Sequence, residues 1–510
     1  MAIFQPVIAV AGARARSLSP AAQLALLLLA HTLLWTWVGV SSRSNFDAPG
    51  DMVEAYAWAQ GWQWGYYKHP PLSAWVAGLW FSVVPESHWG YSLLAAVNGA
   101  VGLAGLAWLA REFLPRNWVL LTVALASLAP GVTSLAMRFN ANAVLISTWP
   151  WALAWSVRLM RTQRTRDAVL CGAVWAAALL GKYFSGALLL SVLATALWLP
   201  HWRVKLLRAP VLMAMAVFLL CMAPHLAWLS AQTLGPLQYA HAATGHETQG
   251  ESLMRALHFA LAQGVFPLLA FVAMFRSLAG PRRLQAFVQA VTSPLRPRNE
   301  ALWLLAVLPI MATMLGTVLM GARTASVWGL GMAACLALLA AHRAREAGAQ
   351  LDMPRMWRTL AMIWLLVALL SPLWWYSRAR LETPAVTEPR EELALETQRQ
   401  WRAQNGTPLK WVAGTRALAA STAFYAGDHP GYWSLWNSSL ETPWVDTAEV
   451  QDQGGAIVCD KTDEDCQRLA EAWSADRREL SVAKSAHGLH FSARSYWLYL
   501  VPAQAVNNNP

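Results

Sequence analysis

Two carboxylates in one short segment are the residues best suited by type and spacing to do chemistry. Asp51 and Glu54 are three positions apart, so one helical turn places both side chains on the same face. A carboxylate there could take a proton from an acceptor hydroxyl or orient it. The alternative is an interfacial helix with ordinary solvated acids, and Asp47 just upstream fits either interpretation.

The segment KHPPL follows these acids and predicts a rigid turn. Pro70 and Pro71 each fix a backbone dihedral and lack an amide donor, and a proline also favours an extended residue before it. Lys68 and His69 therefore stand at the start of a defined bend. Lys68 is a compact charge suited to a phosphate, and His69 is a candidate substrate contact. In the alternative, the turn is structural and Lys68 extends to the membrane surface.

Three further basic residues, Arg138, Lys182 and Arg323, lie at or near the ends of apolar runs. Each alone is typical of a membrane-boundary anchor. Together with Lys68, they would form a cationic pocket for a lipid-linked phosphate.

Aromatic residues beside Lys68 are candidates for contacts with a sugar ring. Tyr66, Tyr67 and Trp64 could stack on a sugar face, or they could belong to the aromatic belt at the membrane interface. The sequence leaves both interpretations open.

Two other groups of residues suggest sites outside this segment. His241, His246 and Glu247 could hold a divalent metal ion, but without a clear further ligand a polar loop is the alternative, and we assign no metal. Cys459 and Cys466 could form a disulfide if the polar tail lies outside the cytoplasm; the alternative is two free thiols.

The composition indicates what must position these residues. Of 510 residues, 56% are hydrophobic and only 13% are charged, whereas a soluble domain carries about 25% charged residues. Lipid must therefore solvate much of the chain, and the 30 tryptophans fit a membrane interface. The net charge of +11 lies mostly in short loops between apolar runs, which argues against nucleic-acid binding.

The apolar runs predict a polytopic α-helical membrane protein with about eleven transmembrane helices. They are residues 20–40, 89–110, 118–136, 140–157, 167–181, 183–199, 209–229, 257–275, 301–320, 324–342 and 358–376. Lys and Arg are about three times as frequent in one set of alternate loops as in the other. The N-terminus is therefore expected to be cytoplasmic and the tail extracytoplasmic.

A change of composition predicts two domains, a membrane domain over residues 1–377 and a soluble domain over residues 378–510. The outer loop 41–88 mixes acids with aromatics, which predicts juxtamembrane helices. In the tail, LKWVAG, GGAIVCD and HFSARSYWLYLVP are typical of strands, while AEVQ and CQRLAEAW are typical of helices. We therefore expect a small α/β domain there.

The stretch VEAYAWAQGWQWGYYKHPPLSAW resembles the first outer loop of family-39-like glycosyltransferases of the GT-C superfamily, whose relatives include protein O-mannosyltransferases and the lipid A aminoarabinose transferase. The segments RFNANAVLISTWP, LLGKYFSGALL and TAFYAGDHP follow in the matching order. The resemblance covers most of the membrane part and adds Asn142 and Tyr183 to the candidate substrate contacts.

This resemblance implies an enzyme that moves a sugar from a polyprenyl-phosphate donor to a lipid or protein acceptor at the outer face of a bacterial inner membrane. In the family, an acid of the first outer loop serves as base or positions the acceptor, and basic residues hold the donor phosphate. The sequence departs from the pattern, since Val53 stands where the family often has aspartate, and Asn140 and Asn142 stand where some relatives carry one. The base is therefore Glu54 or Asp51.

Two other classes of protein are the alternatives. A transporter or flippase for a lipid-linked sugar would need polar residues along a path through the bundle. A non-catalytic assembly subunit would not need acids and bases that converge at one membrane depth.

Overall fold

The computed structural model describes residues 18–46, 50–232, 235–245, 247–265 and 267–503. Asp47 and His246, which the sequence singles out, lie outside these residues. The structure is mostly helical, with a small sheet near the C-terminus, which confirms the predicted fold class.

Helices make up most of the described residues before residue 381. They are α1 (Pro20–Ser41), α2 (Asp51–Ala59), α3 (Leu72–Phe81), α4 (His88–Ala110), α5 (Arg116–Ala126), α6 (Val144–Thr162), α7 (Thr165–Gly181), α8 (Gly186–Trp198), α9 (Pro200–Arg203), α10 (Ala209–Ala231), α11 (Gly235–Thr244), α12 (Gln249–Val265), α13 (Leu268–Ser277), α14 (Arg283–Val291), α15 (Ala301–Met320), α16 (Ala333–Glu346) and α17 (Met353–Arg380). A two-stranded ribbon, β1 (Leu278–Ala279) and β2 (Gln350–Leu351), joins two of their connections.

Within the described residues, six helical segments are long and apolar enough to cross a membrane. They are Pro20–Ser41, His88–Ala110, Ala209–Ala231, Gln249–Ser277, Ala301–Met320 and Met353–Arg380. Shorter apolar helices lie between them, so the total of about eleven spans stays a prediction.

Three predicted runs are divided in the structure, and prolines account for the first two divisions. The run 118–136 is not one helix, because α5 ends at Ala126 and a short 3-10 turn begins at Pro130. The run 257–275 likewise spans α12 and α13, which begins after Pro267. The run 324–342 divides into a 3-10 segment, Ser326–Gly331, and α16.

Glycines allow the central helices to pack closely. In the bundle, α4 packs against α1 and α6, while α7 packs against α6 and α10. A Cβ atom at Gly102 of α4 would lie 2.3 Å from the carbonyl oxygen of Ile146, and one at Gly172 of α7 would lie 2.2 Å from that of Ala214. Both contacts bring backbones together as small residues do in membrane bundles.

The tail folds into a five-stranded sheet with helices around it. Its helices are α18 (Pro384–Thr387), α19 (Arg390–Asn405), α20 (Arg416–Tyr425), α21 (Ser438–Glu441), α22 (Thr447–Gln453) and α23 (Glu464–Glu471). The strands of the sheet are β3 (Trp411–Gly414), β4 (Gly431–Tyr432), β5 (Gly455–Asp460), β6 (Arg477–Val482) and β9 (Arg494–Val501), while β7 (Ser485–Ala486) and β8 (Leu489–His490) form a separate two-stranded ribbon. The order in the sheet is β4-β3-β5-β9-β6, with β3 parallel to β4 and β5, and β9 antiparallel to β5 and β6.

The three strands and two helices that the sequence predicts in the tail are all present, as β3, β5, β9, α22 and α23. A disulfide joins Cys459 at the end of β5 to Cys466 in α23, with the two Cα atoms 5.7 Å apart. It ties the central strand of the sheet to a helix on its surface.

The tail packs directly on the first outer loop. Helix α20 contacts α2, and the side chain of Gln60, just after α2, bonds at both ends to the backbone of the tail: it donates to Pro430 (3.1 Å) and accepts from Tyr432 (2.9 Å). Gly50, which precedes α2, has a φ of 84°, and a Cβ there would lie 3.0 Å from Ala417 of α20. Through these contacts, the tail covers the acidic segment that contains Asp51 and Glu54.

Candidate active site

An ion pair between Glu54 and Lys68 lies at the centre of the site. Asp51 and Glu54 both fall in the first turn of α2, where the helix dipole favours negative charge. The backbone amide of Tyr66 donates to the carbonyl of His69, which closes the turn before the two prolines. This turn directs Lys68 to Glu54, with Nζ 2.5 Å from Oε1.

The surroundings of this pair favour proton acceptance near neutral pH. Burial raises the pKa of Glu54 to about 7, although the Lys68 ammonium acts in the opposite direction. Burial also disfavours the charged form of Lys68, but the Glu54 carboxylate outweighs it and raises the pKa of Lys68. Burial lowers the pKa of His69 to about 3, helped by the charges of Lys182 and Lys68, so His69 is neutral at physiological pH.

A cavity of about 470 Å³, which we call the Asn142 pocket, opens on one side of the pair. Glu54 and Lys68 line it together with Asp51, His69 and Asn142. The structure therefore brings together both candidate bases and three of the predicted binding residues.

Lys182 extends the positive charge beyond the Asn142 pocket. It follows α7, donates a hydrogen bond to the side-chain oxygen of Asn142, and lies 5.0 Å from the ring centroid of Trp328. Asn142 is thus held by one of the cations that the sequence predicts for a donor phosphate.

A second cavity of about 420 Å³, the Arg416 pocket, opens between the first loop and the tail. Glu54, Lys68 and Tyr67 line one wall, and the tail supplies Arg416, Tyr432 and Glu441 to the other. The Lys68 ammonium also lies 5.0 Å from the Tyr67 ring centroid. Glu54 and Lys68 are therefore the charged side chains that line both pockets.

Sequence reasoning did not find the residues that the tail contributes. Arg416 opens α20 and pairs with Glu441 at 2.6 Å and 3.2 Å, and Ser434 donates to the same carboxylate at 2.7 Å. The segment TAFYAGDHP, which carries part of the family resemblance, lies further along α20 and just after it. It marks the helix that covers the site, but no pattern in it indicates Arg416 or Glu441.

Besides Lys182 and Trp64, four candidate residues line neither pocket in the described part of the chain. Arg323 is exposed and pairs at 3.1 Å with Glu247, which belongs to the second predicted outer loop, residues 231–256. Arg138 is exposed and lines neither pocket. Tyr66 is buried and stacks on Trp58, with ring centroids 5.0 Å apart. The Tyr183 hydroxyl bonds to His225 at 3.2 Å.

The second outer loop places its acid in ion pairs. Glu247 pairs with Arg255 at 2.8 Å as well as with Arg323, and the loop contains α11 and the start of α12. Within the described ranges, no three His, Cys, Asp or Glu side chains lie close enough together to hold a metal ion.

A family model matches the part of the chain that carries the first-loop turn and the helices from α3 to most of α10. Its description is dolichyl-phosphate-mannose-protein mannosyltransferase, and it covers residues 68–228, from Lys68 to beyond Lys182. No curated protein matches this sequence.

Solved structures extend the similarity to nearly the whole chain. ArnT from Cupriavidus metallidurans bound to undecaprenyl phosphate is 16% identical with a TM-score of 0.54, and the match covers 94% of this chain and 98% of that one. ArnT from the same organism in the apo state matches at 15% identity and a TM-score of 0.54, over 95% and 99% of the two chains. The Archaeoglobus fulgidus oligosaccharyltransferase in complex with Zn and sulfate has 12% identity and a TM-score of 0.41, over 92% and 73%.

These findings confirm the predicted resemblance to GT-C glycosyltransferases. The fold of this chain is similar to that of ArnT over nearly its whole length. This similarity and the six long apolar helices in the described residues indicate a multi-pass membrane protein.

Proposed function

We propose that this protein is an integral membrane glycosyltransferase. It moves a sugar from a polyprenyl-phosphate donor to a lipid acceptor of the lipid A type, or to a protein, on the periplasmic face of a bacterial inner membrane. The N-terminus is then cytoplasmic, and the tail is a periplasmic domain. The observation that carries the proposal is the Glu54–Lys68 pair, which lines two pockets at once.

The two pockets suggest that the donor and the acceptor bind on opposite sides of the Glu54–Lys68 pair. In the proposed reaction, the donor phosphate enters the Asn142 pocket, where Lys68 and Lys182 stabilise the charge that develops on the leaving group. The acceptor hydroxyl approaches from the Arg416 pocket. The bond from the anomeric carbon to the phosphate oxygen breaks, a bond to the acceptor oxygen forms, and the acceptor proton passes to Glu54.

Donor binding would also prepare the base. In the free protein, Lys68 is engaged by Glu54 at 2.5 Å. A phosphate that draws Lys68 away leaves the Glu54 carboxylate unpaired and raises its proton affinity further. Glu54 would thus be a stronger base when a donor is present, although a smaller fraction of it would be deprotonated at neutral pH.

The geometry supports Glu54 over Asp51 as the base. Glu54 lines both pockets, whereas Asp51 lines only the Asn142 pocket and is more exposed. We propose that Asp51 orients the sugar or the lysines, that His69 and Asn142 contact the donor, and that Tyr67 contacts the acceptor. The transporter alternative is not favoured by the comparisons, which match glycosyltransferases.

Deletion and complementation would test this function. Mass spectrometry of glycolipids and membrane proteins from cells lacking the protein should show one lost glycan, restored by the wild type but not by Glu54→Gln. Glu449→Gln, in α22 of the tail, is the matched control and should restore it. Identical glycan profiles with and without the protein would refute a glycosyltransferase, and a loss confined to lipids or to proteins would identify the acceptor class.

A further inference from the structure

An arginine-lined cavity lies outside the proposed active site. It has a volume of about 330 Å³, is lined by Gln289, Ser293, Arg296, Arg298 and Arg343, and shares no lining residue with the Asn142 and Arg416 pockets. We call it the Arg296 pocket. By the loop count it lies on the side of the membrane that the sequence predicts to be cytoplasmic.

The charges in this cavity leave one positive charge unmatched. Arg343 is almost fully buried and is held by Glu300 and by Glu346, to which it donates at 2.5 Å. Within the described residues, no acidic side chain lies within ion-pair distance of Arg296 or Arg298. Three arginines thus face two carboxylates, and one monovalent anion would balance them.

An exposed apolar surface borders the same cavity. Helix α14 buries Ala286 and Ala290 against the bundle and exposes Leu284 (65%) and Val288 (45%) on its other face. Leu295, beside Arg296, is 83% exposed. This amphipathic pattern is typical of a helix that lies in the membrane interface.

A tryptophan supports the same placement. Trp198 is 67% exposed, yet its indole N–H donates to the side chain of Asn299 at 3.0 Å, next to Arg298. An exposed indole ring with a satisfied N–H is typical of the boundary between headgroups and acyl chains. The cavity is therefore expected at headgroup depth.

We propose that the Arg296 pocket binds the phosphodiester headgroup of an anionic phospholipid, with acyl chains along Leu284, Val288 and Leu295. Arg296 and Arg298 supply charge-assisted hydrogen bonds to the phosphate. Basic pockets at the membrane surface recognise anionic lipids in this way. The single unmatched charge fits a lipid whose phosphodiester is the only charged group of its headgroup, such as phosphatidylglycerol. The neighbouring apolar surface favours a lipid over a soluble phosphate.

Native mass spectrometry of the full-length protein in mild detergent would test the headgroup assignment. The probes are dioleoyl phosphatidylglycerol, dioleoyl phosphatidylcholine and inorganic phosphate. The first phosphatidylglycerol molecule should bind roughly 30-fold more tightly than phosphatidylcholine, because two arginines attract its net negative headgroup, whereas the choline ammonium cancels that charge in phosphatidylcholine. The double variant R296Q/R298Q should lose this preference. Its exposed arginines have no acidic partner in the described residues, so the fold should persist.

The double variant R164Q/R166Q is the matched control, because it removes the same charge from exposed arginines at the start of α7, on the same predicted side. It should keep the preference. Equal phosphatidylglycerol affinity in the wild type and R296Q/R298Q would overturn the proposal, as would an equal loss in the control. Displacement of bound lipid by millimolar inorganic phosphate would instead assign the cavity to a soluble anion.

A second variant tests the acyl-chain surface. L284S/V288S should weaken binding of dioleoyl phosphatidylglycerol several-fold but leave binding of the dihexanoyl lipid unchanged. An unchanged affinity for the long-chain lipid would overturn the placement of the chains along α14.

Discussion

The protein has two clusters in which a glutamate pairs with basic side chains, and their comparison illustrates how a reactive site differs from a structural one. In the first outer loop, Glu54 pairs with Lys68 and with no other basic side chain among the residues that the structure describes, and the pair lines two pockets. In the second, Glu247 pairs with Arg255 and Arg323 and lines neither pocket. The two clusters contain similar residue types. Only in the first cluster, among the described residues, does the ion pair line the two pockets, where a substrate phosphate could displace Glu54 as the partner of Lys68.

The largest contrast should appear when each acid is neutralised. Glu54→Gln should lower sugar transfer by roughly 100- to 10,000-fold, because general-base catalysis contributes about that much. Glu247→Gln should change transfer less than about threefold, since its partners are exposed arginines. Glycan transfer in membrane vesicles, followed by mass spectrometry, would measure both. Comparable losses in the two variants would remove the distinction between the clusters.

The cations should differ in the same direction by a smaller factor. Lys68→Met should lower turnover roughly 100-fold, through lost stabilisation of the leaving phosphate. Arg323→Gln should be nearly silent. Binding of undecaprenyl phosphate to the purified variants would check the assignment separately, since Lys68→Met should weaken it and Arg323→Gln should not. A strong effect of Arg323→Gln would place the donor phosphate in the second loop instead.

The pH dependence of transfer tests the protonation state of Glu54. Its pKa is raised to about 7, and the base must be deprotonated, so kcat/KM should rise about tenfold per pH unit below 7 and level off above it. When the donor phosphate draws Lys68 away, the midpoint for kcat should move to higher pH, because Lys68 lowers the pKa of Glu54. Lys68→Met should show the higher midpoint in both profiles. A single unshifted midpoint in the wild type would contradict the release of Lys68.

Local sequence patterns account for the parts of the site that the first loop builds. The spacing of Asp51 and Glu54 and the two prolines after His69 determine a helical face and a turn within twenty residues, and the structure has both. The tail strands were predictable for the same reason, since alternating or continuous apolar runs are local signals.

Long-range packing accounts for what the sequence did not reveal. Arg416 reaches the site because α20 packs on α2, more than 350 residues earlier, and no local pattern encodes that contact. The loop charges predicted the side of the membrane for Arg323, but not its partner, and Glu247 holds it away from Lys68. Charge counting thus predicts the side of the membrane on which a residue lies, not its neighbours.

The smallest expected effect concerns the stability of the second cluster. Arg255 and Arg323 are 47% and 62% exposed, while Glu247 is only 6% exposed. Arg255→Gln or Arg323→Gln alone should cost less than about 1 kcal/mol, because the other arginine still neutralises the acid and solvent screens both. Arg255→Gln with Arg323→Gln leaves a buried carboxylate without a charged partner, so the double variant should lose more than the sum of the single losses. Thermal unfolding in detergent would measure the difference, with Arg138→Gln as the exposed control. Additive losses would mean that the two arginines act independently. Either arginine alone would then not suffice to neutralise Glu247, and this difference from the single Glu54–Lys68 pair would disappear.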